Sequence, residues 1–283
     1  MWPVVRRRFV RGRATGCGPG AAARLAALAV SVTHARRLGR VWGLVAEQAA
    51  GRGGRVSVAD VCAAVVPGVQ VTGAWLSAAP DGQAGHLMQV TDEVSRQLAE
   101  LQLTLGEGPL FDASASGGLA LASDLAGLET GSRWPAFAPA ACRAGAAAVF
   151  AFPLAVGAIR AGVLGLYRDR PGPLSDSQLG DALVFADTAT MLLLDAQDGA
   201  GAGTGPGEGP GGQPAGLASY RAEIDQATGM LTEQLGVSIT DAFVRLRAYA
   251  YGNDLQLAEV ARDIVARRLR LFPDPDLSPD GGT

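Results

Sequence analysis

One segment divides this chain: residues 199–216 contain nine glycines and three prolines, and no apolar side chain larger than that of alanine. A segment of this composition has no apolar surface to bury and behaves as a flexible coil with an average span of roughly 20–25 Å. We therefore expect two folded units rather than one. The predicted organisation is a basic, disordered arm (1–35), a folded domain (36–197), a linker (198–216), a second folded domain (217–271) and a disordered tail (272–283).

The charge distribution is strongly uneven. All 24 basic residues are arginines, and 11 of them lie in residues 1–55 beside a single acid, Glu47, which gives that segment a net charge of +10. Residues 56–198 carry −9 and residues 199–283 carry −4. A basic arm ahead of an acidic body can contact nucleic acid, an anionic membrane or its own domain, and the sequence leaves all three open.

The cysteines and the apolar segments indicate a cytoplasmic protein. Cys17, Cys62 and Cys142 form no CxxC pair, so neither a disulfide framework nor a zinc site is indicated. The most apolar N-terminal run, residues 25–32, is too short to cross a bilayer, and no clear signal-peptide cleavage site follows it. We expect cytoplasmic localisation and no membrane partner.

The first unit has the mixed periodicities of an α+β domain. Alternating β-rich runs over residues 69–77 and 86–91 predict one hairpin, and apolar runs at 147–156 and 159–167 predict a second. Residues 119–123 predict a short strand. Helical spacing predicts helices at residues 21–50, 58–66, 93–103, 134–143 and 175–197.

The sequence of the second unit predicts three short amphipathic helices. Apolar stripes at helical spacing occupy residues 220–235, 242–250 and 257–265. Gly236 and Gly252 are placed to end the first two helices, and Ser238 starts the second with capping-box-like chemistry. Asn253 and Asp254 are predicted to cap the third.

No catalytic constellation is present in the sequence. The two histidines, His34 and His86, lie in no metal-binding or triad context, and the glycine-rich segments lack the strand-then-helix setting of a phosphate loop. We expect no enzymatic activity, no catalytic residues, no metal site and no cofactor.

The helical unit carries the most specific pattern. Its first helix has Ala227, Gly229 and Leu231, its second begins with Ala242-Phe243 and ends with Leu246-Arg247 and Ala250, and its third has Leu257, Val260 and Ala261. This spacing resembles the ANTAR family of RNA-binding antiterminator domains. The family commonly has Lys between the alanine and the glycine of the first helix, where this chain has Thr228, so a phosphate-neutralising charge is missing there.

The ANTAR resemblance implies binding to paired RNA stem-loops in a nascent transcript, which prevents a terminator hairpin from forming. Because the RNA target has two loops and each copy of the chain has one bundle, the resemblance also implies a homodimer. Arginines cluster in the last two helices, and tyrosines there can stack on unpaired bases. The residues assigned to RNA binding are Thr228, Arg245, Arg247, Tyr249, Arg262 and Arg267.

The first unit resembles the GAF family over roughly residues 40–197. The resemblance rests on Leu105-Gly-Glu-Gly-Pro109 with Phe111-Asp-Ala113, Trp134-Pro-Ala-Phe-Ala138, Phe150-Ala-Phe-Pro-Leu154 and Leu166-Tyr-Arg-Asp-Arg-Pro-Gly-Pro-Leu-Ser175. It implies an antiparallel sheet with flanking helices and a pocket for an unidentified small molecule. The candidate pocket residues are Trp75, Trp134 and Phe137. Leu110 replaces the cysteine that often follows this family's Gly-Glu-Gly-Pro segment.

Together these patterns predict a GAF-like sensor that controls an ANTAR-like RNA-binding bundle. Two other classes stay open. A three-helix domain on a sensor is also typical of DNA-binding regulators. GAF-like free-methionine-sulfoxide reductases need clustered thiols, whereas Cys62 and Cys142 lie far apart in the sequence.

Overall fold

The computed structural model describes residues 19–78, 87–199, 215–253 and 255–272. Residues 19–199 form an α+β unit with one antiparallel sheet, and residues 215–272 form a helical bundle. The predicted fold class, an antiparallel sheet with flanking helices followed by a small all-α bundle, is confirmed.

The sheet has five strands in the order β2-β1-β5-β4-β3, and every neighbouring pair is antiparallel. Both predicted hairpins are present, β1 with β2 and β4 with β5. His86, where the second strand was predicted to begin, lies outside the described residues. The strands are β1 (Gly73–Ala78), β2 (Leu87–Val90), β3 (Ala120–Ala122), β4 (Ala148–Val156) and β5 (Ile159–Arg168).

Helices cover both faces of this sheet. One face packs against α1 (Pro19–Arg52), α2 (Val58–Val69) and α7 (Asp176–Gly199). The other face packs against α3 (Glu93–Leu105), α4 (Pro109–Ser116) and α6 (Phe137–Arg143). The short helix α5 (Leu128–Arg133) precedes α6 and has no buried residue. The sheet is therefore the middle of three layers.

The side chains of β4 show why its sequence is apolar without interruption. Phe150, Phe152 and Leu154 belong to the cluster under α2 and α7, whereas Val149 and Ala151 point to the opposite side. Successive strand residues face opposite sides of a sheet. Because helices cover both sides here, both sets of side chains are apolar.

Two predicted helix boundaries are wrong, and a proline lies near each. The helix predicted to stop at residue 66 continues to Val69, and its last turn forms although Pro67 has no N–H to donate to the carbonyl one turn earlier. The helix predicted over 134–143 begins only at Phe137, as α6, and a short helix that was not predicted, α5, precedes it over Leu128–Arg133. The backbone of Trp134, which precedes Pro135, is not helical.

Two predictions overlap near the N-terminus, a disordered arm over residues 1–35 and a helix over residues 21–50. The structure has the helix, described from Pro19 as α1, and residues 21–30 are rich in the strong helix formers Ala and Leu. The arm is therefore not disordered as far as residue 35. In the C-terminal half of α1, Arg37 and Arg40 pair with the buried carboxylate of Asp181 on α7. These two arginines therefore contact the chain's own acidic domain. Residues 1–18 lie outside the described part of the chain.

The bundle consists of α8 (Ala215–Leu235), α9 (Ile239–Gly252) and α10 (Leu257–Val265), as the three apolar stripes predicted. The Ser238 side chain accepts a hydrogen bond from the Asp241 amide and caps α9. The predicted cap of the third helix is wrong: Gln256 and Glu259 form its capping box. The Asn253 amide side chain instead donates to the Tyr249 carbonyl, and Asp254 lies outside the described residues.

Residues 200–214, which make up most of the predicted linker, and residues 273–283 of the predicted tail lie outside the described residues. No described helix is both long enough and apolar enough to span a membrane.

Candidate functional site

The bundle is held together by one apolar cluster. Ile224, Ala227 and Leu231 of α8 are buried against α9 and α10. The other buried members that belong to the bundle are Ala242, Leu246, Ala250, Leu257, Val260, Ala261 and Ile264. These are apolar positions of the three predicted stripes, so the arginines of α9 and α10 lie outside the core of the bundle.

Thr228 lies inside the bundle. The residue is 5% exposed, and its hydroxyl donates a 2.7 Å hydrogen bond to the Ile224 carbonyl one turn earlier. A hydroxyl that back-bonds to its own helix needs no outside partner. The position where the ANTAR pattern commonly has lysine therefore presents no exposed group in this structure.

Four of the assigned residues are at least partly accessible. Arg245 and Tyr249 are half-buried and lie one turn apart on α9, where residues four apart share a helix face. Arg262 is exposed on α10 and pairs with Glu223 of α8, with Nε and Oε2 3.5 Å apart. Arg267 is exposed just beyond α10, and its φ of 59° is in the left-handed region.

Arg247 points to the α+β unit instead of to solvent. Its Nε donates a 3.3 Å hydrogen bond to the Thr104 carbonyl near the end of α3. Its guanidinium carbon lies 5.7 Å from the ring centre of Phe111 on α4 and 5.8 Å from that of Phe243 on its own helix. Burial lowers the pKa of Arg247. A residue predicted to contact RNA is therefore engaged between two aromatic rings at a domain contact.

Leu103 and Gly106 complete this contact. Leu103 belongs to α3, yet it is 4% exposed and packs with the buried residues of the bundle. Gly106 follows α3 with a φ of 72°, and a Cβ there would overlap the guanidinium of Arg247. The left-handed backbone conformation favours glycine at this position, and any larger residue would also displace the end of the Arg247 side chain. We call Leu103, Thr104, Gly106 and Phe111 the docking corner.

The docking corner is built by the Gly-Glu-Gly-Pro segment. One carboxylate oxygen of Glu107 accepts hydrogen bonds from the backbone amides of Ala136 and Phe137, at 2.7 and 2.6 Å, at the start of α6. The Gln102 side chain accepts a 2.7 Å hydrogen bond from the Leu110 amide at the start of α4. These two side chains fix α4 and α6 relative to α3, and so they fix the surface that receives Arg247.

None of the four docking-corner residues nor Glu107 was assigned a role from the sequence. The segment from Leu105 to Pro109 did stand out as a motif, but its pattern does not indicate that a second domain packs on it. The burial of Gln102 and Leu103, which would have indicated the contact, is visible only in the structure.

Trp75, Trp134 and Phe137, the candidate pocket residues, come together in the hydrophobic cluster under α3 and α6. All three are at most 2% exposed. The Trp134 ring meets Phe137 edge-on at 6.2 Å, and its indole N–H donates to Asp112 at 3.2 Å. A Cβ at Gly165 would overlap the Trp75 ring. These contacts describe close-packed core residues.

The described cysteines differ in environment. Cys62 is buried on α2, and burial raises the pKa of its thiol to about 12, whereas Cys142 is exposed on α6. A thiol with so high a pKa is a poor nucleophile. Within the described residues, no group of three or more His, Cys, Asp or Glu side chains could hold a metal ion.

An open cleft separates the two units beside the docking corner. It has a volume of about 560 Å³, and its walls come from α3, from α6 and from the end of α9 with the residues that follow. Side chains from both units line this cleft.

The geometry defines an α+β domain docked to a three-helix bundle through α9. Comparison with protein families adds that residues 218–265, the bundle, match the ANTAR domain. No curated protein sequence matches the chain.

Several solved structures are similar to part of this chain. A GAF domain from a Coxiella burnetii phosphoenolpyruvate-protein phosphotransferase shares 13% identity, with a TM-score of 0.45 over 58% of this chain and 98% of that one. A GAF domain from an Acinetobacter phosphoenolpyruvate-protein phosphotransferase shares 12% identity, with a TM-score of 0.43 over 60% of this chain and 98% of that one. A domain of a two-component sensor histidine kinase protein from Sinorhizobium meliloti 1021 shares 17% identity, with a TM-score of 0.39 over 50% of this chain and 90% of that one.

Proposed function

We propose that this protein is a signal-responsive transcription antitermination regulator, in which a GAF-like sensor controls an ANTAR domain that binds RNA stem-loops. The observation that carries this proposal is the ANTAR match over residues 218–265, which coincides with the three-helix bundle. The ANTAR resemblance supplies the RNA target and the action on a terminator hairpin.

The chemistry of the bundle surface supports an RNA partner. Exposed arginines near α10 can neutralise phosphates, which supplies most of the affinity in nucleic-acid complexes. Arg267 and Arg270 are exposed and form no ion pair with any described residue. Tyr249 supplies an aromatic ring on α9, and aromatic rings are the usual stacking partners of unpaired RNA bases.

The docking of α9 supports control by the sensor. In the arrangement described above, Arg247 is held by the Thr104 carbonyl and two aromatic rings, and Leu103 closes the core of the bundle. RNA binding through Arg247 requires this contact to open. The affinity for RNA then depends on the fraction of molecules in which the bundle is free.

The remaining parts of the proposal are a cytoplasmic, non-enzymatic homodimer that responds to a small molecule. Leu38 on α1 and Leu183 and Met191 on α7 are exposed apolar side chains on neighbouring helices, and they supply a surface for a second copy. The buried, high-pKa thiol of Cys62 argues against thiol chemistry in this domain.

The proposal is tested by charge removal in the full-length chain. Arg267→Gln should weaken binding to a stem-loop RNA for all sequences alike and should reduce the dependence of log affinity on log salt by about one. The matched control is Arg36→Gln, which removes an exposed arginine on α1, far along the chain from the bundle. Affinity is measured by fluorescence anisotropy over a range of salt concentrations.

Equal losses in the two variants would show that the net charge of the chain, and not the bundle, determines RNA binding. Tight binding to duplex DNA without binding to stem-loops would replace the proposal by a DNA-binding regulator.

A further inference from the structure

The cleft between the two units has the size and shape of a ligand site. Its volume of about 560 Å³ falls within the roughly 300–1,000 Å³ of small-molecule pockets. Leu101 and Thr104 of α3 form one wall, and Ala140 and Arg143 of α6 form the second. Tyr251, at the end of α9, forms part of the third.

The lining is apolar with one unbalanced charge. Leucine, alanine and proline side chains make up most of the surface. The one carboxylate in the lining, that of Glu100, is buried and already paired with Arg96 on the same helix. Arg143 is exposed and forms no ion pair with any described residue. The charge that the cleft offers to a ligand is therefore positive.

Tyr251 adds an aromatic surface. The residue is 61% exposed although it borders the cleft, so its ring is free to cover an apolar ligand. The Tyr251 ring, the alanine-rich wall of α6 and Arg143 line the same cleft, so a flat apolar body with an anionic group would meet all three. Aromatic rings and arginine are the side chains that contribute most when such surfaces are desolvated.

We propose that this interdomain cleft binds a small organic anion with a flat apolar body, such as an aromatic carboxylate, and that the bound anion holds the bundle against the docking corner. The site is separate from Trp75, Trp134 and Phe137, which are packed in the core. Its regulatory consequence rests on the proposed RNA-binding function, whereas the binding site itself does not.

The cleft has walls from both units, and this determines whether a bound ligand favours the docked or the undocked state. A ligand that touches both units makes its full set of contacts only while the units are docked, so it binds the docked state more tightly and shifts the population towards it. Thr104 lines the cleft, and its carbonyl is the acceptor for Arg247. Occupancy of the cleft therefore strengthens the retention of Arg247 and lowers the affinity for RNA.

The test is isothermal titration of the full-length chain with 2-naphthoate, with the neutral 2-naphthamide as the matched ligand. We expect one naphthoate per chain, with a dissociation constant below about 1 mM, the range of weak small-molecule sites. The amide should bind about fivefold more weakly, because it lacks the charge that meets Arg143.

Two variants locate the site. Arg143→Gln should reduce naphthoate affinity about fivefold, to the level of the amide. Ala140→Trp should remove binding by filling the cleft, and Arg36→Gln should leave it unchanged. Circular dichroism confirms that each variant is folded. Absence of naphthoate binding to the wild-type chain, or equal binding by the wild-type and Ala140→Trp chains, overturns the proposal.

A second measurement separates the cleft from the RNA function. Naphthoate should weaken stem-loop binding by the wild-type chain and leave that of Ala140→Trp unchanged. A chain that binds naphthoate in the cleft but binds no RNA would refute the proposed function and retain the ligand site. Unchanged or tighter RNA binding in the presence of naphthoate would refute the stabilisation of the docked state.

Discussion

Replacing Leu103 with alanine should open the contact between the sensor and the bundle. Leu103 lies on α3 of the sensor, yet its side chain is almost fully buried among the core residues of the bundle. The substitution removes three methylene-sized groups, each worth about 0.8 kcal/mol when buried, so docking should be weakened by about 2.4 kcal/mol. That free energy corresponds to a change of about 50-fold in the docking equilibrium.

The consequence is a gain in RNA affinity. If docking sequesters Arg247, the apparent dissociation constant equals the intrinsic constant divided by the undocked fraction. Leu103→Ala should therefore tighten stem-loop binding by up to about 50-fold, the limit being reached only if the wild-type chain is docked almost completely. Fluorescence anisotropy with a labelled stem-loop RNA at about 150 mM salt measures this change.

Leu98→Ala is the matched control, because Leu98 lies on the same helix and is fully buried in the core of the sensor itself. It should lower the free energy of unfolding by about 2–5 kcal/mol and leave RNA affinity unchanged while the chain remains folded. If Leu103→Ala binds RNA no more tightly than the wild-type chain, docking does not control access to the bundle and the reasoning fails.

Three further predictions concern the α+β unit. Glu107→Ala should destabilise the chain by about 1.5–3 kcal/mol in urea denaturation, because two amides at the start of α6 lose a charged acceptor, whereas Glu107→Gln should lose less. If Glu107→Ala lost less free energy of unfolding than Glu107→Gln, the role of Glu107 as an acceptor for these amides would be contradicted. Burial alone would raise the pKa of Asp60, but hydrogen bonds from Arg52 and Ser57 hold it below its ordinary value. The stabilisation is therefore present above the unfolded pKa of about 3.9 and is lost as the pH falls below it, so Asp60→Asn should flatten this acid limb of the stability curve. In the native protein, iodoacetamide should modify Cys142 much faster than Cys62, as measured by peptide mass spectrometry, and equal rates would contradict the burial of Cys62.

The secondary structure was largely readable from the sequence. The two hairpins follow from β-rich runs separated by turn residues, and the bundle follows from three apolar stripes with Gly236 at the first boundary. The errors came from local geometry. Pro67 was expected to end a helix that continues past it to Val69, whereas the residue before Pro135 is not helical and the next helix starts only at Phe137.

The candidate site was less predictable, because its main feature is a contact between units far apart in sequence. The periodicity of α9 places Arg247 outside the apolar core, and an arginine in that position is normally assigned to solvent or to a ligand. Only the three-dimensional arrangement places it over Thr104 and Phe111, which lie more than 130 residues earlier. The burial of Thr228 is a similar case, because a threonine hydroxyl that bonds to its own helix can occupy a core position.

The most direct test of the central claim is the binding preference of the full-length chain and its Leu103→Ala variant, measured with paired stem-loop RNAs and with duplex DNA at about 150 mM salt. The proposed function predicts selective binding of stem-loop RNA, with the tighter binding in the variant. Selective binding of duplex DNA by either chain, or the absence of RNA binding by both folded chains, would contradict it.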